Sequence, residues 1–509
     1  GRRREQGQEQ RGQEAEHGTR PPSLAGAGER CAAGVSLAVP GARPIVPPPM
    51  VSADDPITIR LLDLFRIGPG PSSSHTVGPM RAAGMFRRHC LAAGLVPHRL
   101  QVELRGSLSA TGLGHGTDRA VLAGLCGFEP EEVDPDSFAI LDRTLADEPL
   151  VEWGGTRVRL HPDDVVFADP RETSEEFLPH PNTLVLRAFS PSGDLLIEES
   201  WLSVGGGFVQ RTGDEGGKRR PPSPPVAPFW SGRTLLEQAR THGGLGAVVL
   251  ANERAWEEEP GQLEAGLDRV YEAFRACVRR GLRHTGELPG GLGVVRRASH
   301  LNAQVATGRV EASYRIIAQA QAYAYAINEE NAAGGLVVTA PTNGAAGIFP
   351  ATLIEAVDRL KLGREAVHRA IATAGSVAMV IQAHASLSGA EVGCQGEVGS
   401  ATAMAAAALC EILGGDVDQV ERAAEIGLEH NLGLTCDPIK GLVQAPCIER
   451  NAMGVAKAWS AAQLALNSGA RGIVSLDKVI RVMKRTGLDM RREYKETSEG
   501  GLAVNIPEC

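Results

Sequence analysis

Aromatic residues make up only 4% of this 509-residue chain, too few for the stacked rings on which single-stranded bases lie. Basic residues are not in excess either. Fifty-two Lys and Arg stand against 61 Asp and Glu, a net charge of −9, so nucleic acid and anionic membranes are disfavoured partners. No long run of large apolar residues occurs. The stretch SATAMAAAALCEILGG at 400–415 is short and alanine-rich, which reads as a buried helix and not as a membrane span. The nine cysteines, at 31, 90, 126, 277, 394, 410, 436, 447 and 509, form no disulfide framework in a chain of this length, and a reducing, cytoplasmic setting fits them best. Neither the C-x-x-C pair of many zinc sites nor the C-x₂-C-x₂-C run of ferredoxins is present.

What is present is ordinary globular composition, 42% apolar and 22% charged, with 61 Gly and 32 Pro implying many tight loops. Residues 1–49 are Arg/Gln/Glu/Gly-rich and then Pro-punctuated, with little to bury. They are expected to be a disordered tail or a mis-called leader, with Met50 as the true start. Residues 50–210 mix a helix at MRAAGMFRRHCLAAGL, an alternating strand at HRLQVELRGSL, a helix closed by Gly127 and a hairpin turning at Pro191–Gly193. An α+β N-terminal domain is the expectation. Residues 211–227, RTGDEGGKRRPPSPPVA, read as a Pro-rich linker or surface insert that need not pack. Residues 228–509 become mostly α-helical, with helices expected over 231–243, 263–282, 310–334, 351–363, 364–385, 400–415, 416–433 and 454–469.

Three cysteines carry the chemistry. Cys394 lies in GAEVGCQGEVGS, Cys436 in LGLTCDPIKG and Cys447 in VQAPCIERN, each a Gly- or Pro-rich, loop-like segment. A lone cysteine is usually a small buried apolar residue, and Cys410, on an alanine-rich helix, reads that way. Three soft ligands without a nearby fourth point to an iron–sulfur cluster with one open, Lewis-acidic iron, with zinc as the metallic competitor. Around them stand three candidate loops. Ser72, Ser73, Ser74 and His75 precede a helix, where hydroxyls and exposed N–H groups suit a carboxylate. Gly114-His115-Gly116-Thr117-Asp118 also opens a helix, with Asp118 placed to orient an imidazole. Pro341-Thr342-Asn343-Gly344 follows a strand-like run and could hold a small anion. Each loop could equally be structural.

Together PSSSHTVGPM, GHGTDRAVLAGL, PTNGAAGIFPA, GAEVGCQGEVG and CDPIKGLVQAPCIERN resemble the bacterial iron–sulfur-dependent L-serine dehydratases (L-serine ammonia-lyases) in their single-chain form. The resemblance spans about 55 to 509. It implies a [4Fe–4S] cluster on Cys394, Cys436 and Cys447, with no pyridoxal phosphate. It also implies that Cys509 folds back onto the open iron when substrate is absent. L-Serine would be the substrate, with His75 or His115 as base and the loops bearing Ser72–Ser74, Thr117, Asp118, Asn343 and Gly344 holding it. The first domain would resemble a small substrate- or effector-binding domain, the second would be catalytic, and the protein would be a homodimer. Lys440 departs from the family pattern by placing a cation close to Cys436. Competing readings are another [4Fe–4S] hydro-lyase acting on a small hydroxy acid, and a non-catalytic iron–sulfur sensor.

Overall fold

The computed structural model describes residues 55–169, 178–214, 221–469 and 472–505. The leader, the middle of the 211–227 insert and Cys509 lie outside them. Two strands, β1 (Ile67–Pro69) and β9 (Leu336–Val338), pair antiparallel as a small ribbon. A seven-stranded mixed sheet is formed by β2 (Arg99–Gly106), β3 (Leu150–Trp153), β4 (Thr156–Arg159), β5 (Val165–Phe167), β6 (Asn182–Phe189), β7 (Leu195–Ser203) and β8 (Val209–Arg211). Its order is β3-β4-β2-β6-β7-β8, with β5 also pairing β2.

Alternation sets the sheet's inner face. Leu100, Val102 and Leu104 of β2 are buried and stand opposite Ala188, Leu186 and Leu184 of β6. Helices α1 (Gly78–Ala92) and α2 (Thr117–Cys126) contribute Met80, Phe86, Val121 and Leu125 to the same core. Gly127 ends α2 at φ +92, a left-handed cap that favours glycine. The expected hairpin forms, with Gly193 at φ +87 inside the turn. At Gly124 a Cβ would lie 2.1 Å from the Met80 carbonyl oxygen and 2.8 Å from Ala83 Cβ. Gly124→Ala is therefore expected to part α1 from α2 and to destabilise the fold by about 1–3 kcal/mol, read from the urea midpoint.

The rest is helical: α3 (Gly232–His242), α4 (Leu245–Ala255), α5 (Gln262–Gly281), α6 (Ala298–Ala306), α7 (Arg315–Ala332), α8 (Ile348–Leu360), α9 (Arg364–His384), α10 (Ser400–Ile412), α11 (Val417–Glu429), α12 (Cys447–Asn467) and α13 (Leu476–Asp489). Every residue of α10 from Ser400 to Cys410 is buried. Its small side chains let neighbouring backbones come close: a Cβ at Gly427 of α11 would lie 3.1 Å from Ala403 Cα. The α+β part followed by a mostly helical part is as expected.

Three local expectations change. Residues 57–65 do not pack with the sheet; Ile57, Leu61, Leu64 and Phe65 join the helical core, and Arg60 Nε and the Leu61 N–H both donate to the buried Glu253 carboxylate. The far half of the 211–227 insert does pack. Asn252 brackets Ala227 with two hydrogen bonds, and Trp256 Nε1 donates to the Ser223 carbonyl. Finally, Cys447 is not in a loop but begins α12, seven residues before the expected helix start at 454. None of the helices among the described residues is long and apolar enough to cross a membrane.

Candidate active site

The chain leaves β1 at Pro69 and enters a wide turn over Ser73–Val77. Ser72 Oγ accepts the His75 N–H at 3.1 Å, and the Ser72 N–H donates to Thr76 Oγ1 at 3.2 Å. Ser203 Oγ, at the end of β7, donates to the Ser74 carbonyl at 2.7 Å. The loop is buried throughout, and His75 is fully enclosed. Both ring nitrogens of His75 have hydroxyl partners at 3.0 Å: Ser74 Oγ at Nδ1 and Ser107 Oγ at Nε2. The hydroxyls of Ser72 and Ser74 thus shape the turn and hold the ring.

His115 sits beside it, ring centroids 4.6 Å apart. Thr76 Oγ1 donates to the His115 carbonyl. His115 Nδ1 lies 2.9 Å from the Thr111 carbonyl. A carbonyl only accepts, so Nδ1 carries the proton and Nε2 keeps its lone pair. That Nε2 is buried without a hydrogen-bond partner. Burial holds the pKa of His75 well below the usual range, helped by His115, and burial lowers that of His115 to about 4. Both rings are neutral at neutral pH. Asp118 does not orient His115; Thr111 does, and Asp118 occupies the first turn of α2, its pKa raised by burial. Thr117 Oγ1 is buried and unpartnered.

The cysteines converge from three segments. Cys394, Glu397 and Cys436 bring one ligand atom each within 4.8 Å of one another. The Cys394 sulfur alongside and burial together hold the Cys436 thiol well above its ordinary range, and burial does the same for Cys447, with Cys394 adding to it. Glu397 is pushed up to about 7 by burial. Two thiols and a carboxyl crowded in a buried space, with the Cys447 thiol outside that tight group but close enough for Cys394 to act on it, are the donor set a cationic iron–sulfur core would deprotonate and hold. Two glycines make room for it. A Cβ at Gly389 would lie 3.1 Å from Glu397 Oε2 and 3.2 Å from Cys436 Sγ, and one at Gly344 would lie 3.1 Å from Glu397 Oε2.

Neighbouring side chains brace this centre. Arg450, one turn after Cys447, donates to the Thr435 carbonyl and to Asp437 Oδ1, flanking Cys436 on both sides. Its charge also works against the burial that holds the Cys447 thiol up. Asn451 donates to the Gly344 and Cys447 carbonyls and accepts the Gly347 N–H, tying the 341–347 loop to the start of α12. Asn343 instead braces the fold: its Oδ1 accepts from Thr339 Oγ1 and its Nδ2 donates to the Pro69 carbonyl. Lys440 is exposed and turns to solvent.

Glu496 joins the two halves of the site. Its Oε1 lies 3.9 Å from His75 Nδ1 and 3.9 Å from His115 Nε2, and its charge acts on the pKa of Cys436 and Cys447. A third histidine, His180, is buried close enough to His75 to oppose its protonation.

Residues 60–214 match the family model described as serine dehydratase beta chain, and residues 242–503 match serine dehydratase alpha chain. The chain belongs to the serine dehydratase family. It carries both parts of the family on one polypeptide. An L-serine dehydratase of Streptomyces coelicolor is 48% identical over 463 residues, 89% of this chain and all of that protein. One from Mycobacterium tuberculosis is 44% identical, covering 88% of this chain and 98% of its own. L-serine dehydratase 1 of Escherichia coli K12 is 42% identical over 88% and 99%.

Family motifs made Cys394, Cys436, Cys447, His75 and His115 visible in the sequence. Glu397 lies inside a quoted motif, three residues after Cys394, and was open to the same reading. Arg450 and Asn451 close the quoted motif CDPIKGLVQAPCIERN and were open to it too, whereas Ser107, His180 and Glu496 carry no local signal that marks them.

Proposed function

We propose that this chain is an L-serine ammonia-lyase, converting L-serine to pyruvate and ammonia with an iron–sulfur cluster held by Cys394, Cys436 and Cys447. The observation that carries the reading is the meeting of the Cys394–Glu397–Cys436 group, with the buried Cys447 thiol nearby, and two neutral, buried histidines across Glu496. When bound, the cluster supplies a Lewis acid that stabilises charge developing on the departing β-hydroxyl.

The remaining work falls to side chains. His115 is assigned the α-proton, because its tautomer leaves a lone pair on an unpartnered Nε2. His75, held between two hydroxyls, orients substrate. The Ser72–Ser74 turn and the Thr117 hydroxyl, which is buried and unpartnered, are assigned the substrate carboxylate. Loss of the proton and hydroxyl leaves aminoacrylate, which tautomerises to an imine and hydrolyses to pyruvate and ammonia. Cys509 is assigned the remaining ligand position when substrate is absent. The anchoring of the Leu502 N–H on Asp437, next to Cys436, supports that assignment. A cytoplasmic location and a homodimer, the latter expected from the resemblance alone, complete the reading.

The test is anaerobic turnover of L-serine, following pyruvate and ammonia alongside iron, sulfide and the cluster absorption. Equimolar products with about four irons per chain are expected. An intact cluster that turns over only hydroxy acids would shift the reading to a different hydro-lyase, and zinc without sulfide would overturn it.

A further inference from the structure

Glu496 is the buried acid that the chemistry above leaves unused. It is 6% exposed, yet no lysine or arginine reaches its carboxylate among the described residues. Its neighbours are His75 and His115, each at 3.9 Å, the Ala390 N–H, and on the cysteine side the acids Glu397 and Cys394; burial together with these acids holds its carboxyl well above the ordinary range until a cation arrives. A buried carboxylate without a cation is costly. The chain nevertheless builds its position deliberately. The Glu496 N–H donates to the Cys436 carbonyl at 2.8 Å, and the Cys436 N–H donates to the Tyr494 carbonyl at 2.8 Å. Ser498 Oγ then fastens the segment to the Pro438 carbonyl. Glu496 itself adopts φ +60, a left-handed conformation unusual for a residue with a side chain. Strain of this kind persists where surrounding structure enforces it and collects at functional sites.

We infer that Glu496 receives the α-ammonium of the substrate and thereby selects an amino acid over a hydroxy acid. The inference rests on the reading of L-serine as substrate. That zwitterion carries one cation, on the same carbon as the proton assigned to His115. The group that binds the ammonium must therefore stand beside the base, and Glu496 lies 3.9 Å from His115 Nε2. The hydroxyl, one carbon away, must meanwhile reach the cysteine-held centre, to which Glu496 is bonded through the Cys436 backbone. An analogue without the ammonium would leave the buried acid unpaired, which is how polar sites reject close analogues most strongly.

The experiment compares the anaerobically loaded full chain with Glu496→Gln and Glu496→Asp. It measures KM and kcat for L-serine and the inhibition constant of 3-hydroxypropionate, which is serine without its ammonium. In Glu496→Gln the KM for serine is expected to rise about a hundredfold while 3-hydroxypropionate binds at least as tightly as before. Glu496→Asp, which keeps the charge, is expected to recover part of the loss. Iron content and cluster absorption should match wild type in both. Equal weakening of both ligands, or a fall in kcat with KM unchanged, overturns the inference and leaves the serine reading standing. If Glu496→Gln does not hold its cluster, Glu496→Asp decides: wild-type discrimination between the two ligands supports the inference, and its loss counts against it. A wild-type chain that does not turn over serine would remove the substrate reading itself, and the inference with it.

Discussion

Replacing Cys436 by serine is expected to abolish serine turnover together with the cluster absorption and bound sulfide. Soft thiolates select iron–sulfur cores, and a serine hydroxyl is a harder donor that remains protonated in a buried site. Loss of groups outside the ligand set commonly costs about 10–100-fold in metal affinity or activity, so loss of a ligand should exceed that range. Cys394→Ser and Cys447→Ser should behave alike, because all three thiols are buried and electrostatically linked in one cluster of side chains. Cys410→Ser is the control. Its thiol lies fully buried on α10, pushed up to about 12 by burial, and is expected to affect stability while leaving iron and sulfide intact. Equal loss of iron in Cys410→Ser and Cys436→Ser would show that the effect was one of folding and not of ligation.

His115→Asn is expected to lower kcat by about 10²–10⁴-fold with a much smaller change in KM. The asparagine amide can still donate to the Thr111 carbonyl, so the loop keeps its tether while the lone pair at Nε2 is lost. A drop confined to KM would reassign His115 to substrate binding and shift the base to His75. The same variant reports on stability. The folded imidazole resists protonation down to about 4 against an ordinary 6.5. Between these values the unfolded chain binds more protons, so stability falls as pH drops from about 6.5 to 4, by up to about 3 kcal/mol from this residue. His75, whose pKa is lowered in the same direction, adds to the slope. Urea unfolding at pH 7 and pH 5 should show a smaller difference for His115→Asn than for wild type.

The helices legible in the sequence were those whose ends or faces are local properties. Gly127 and Gly243 close α2 and α3 in left-handed caps, and Asp416 opens α11 with a capping box. Other elements depend on distant partners. The short helix α6 buries only Ala298 and Val305, and its start is held by the Glu329 carboxylate reaching from α7 to the Arg297 and Ala298 N–H groups. Helix α13 is different: Leu476, Val479, Ile480 and Met483 repeat at helical spacing and are all buried, a signal the motif-led reading left unused.

The sequence by itself determined the donor chemistry: which thiols, imidazoles and hydroxyls exist, and that their flanking glycines and prolines place them at the ends of elements. Motif resemblance then tied those residues to serine dehydration. Only the tertiary structure decided which of them share one enclosed space. Asn343 was drawn into bracing β1, Asp118 was left apart from the imidazole it might have oriented, and Glu496, 60 residues beyond Cys436, was carried back against it by two backbone hydrogen bonds. The physical reason is that periodicity and capping act over a few residues, whereas desolvation, tautomer and charge pairing are set by whatever the packed chain brings within a few ångströms.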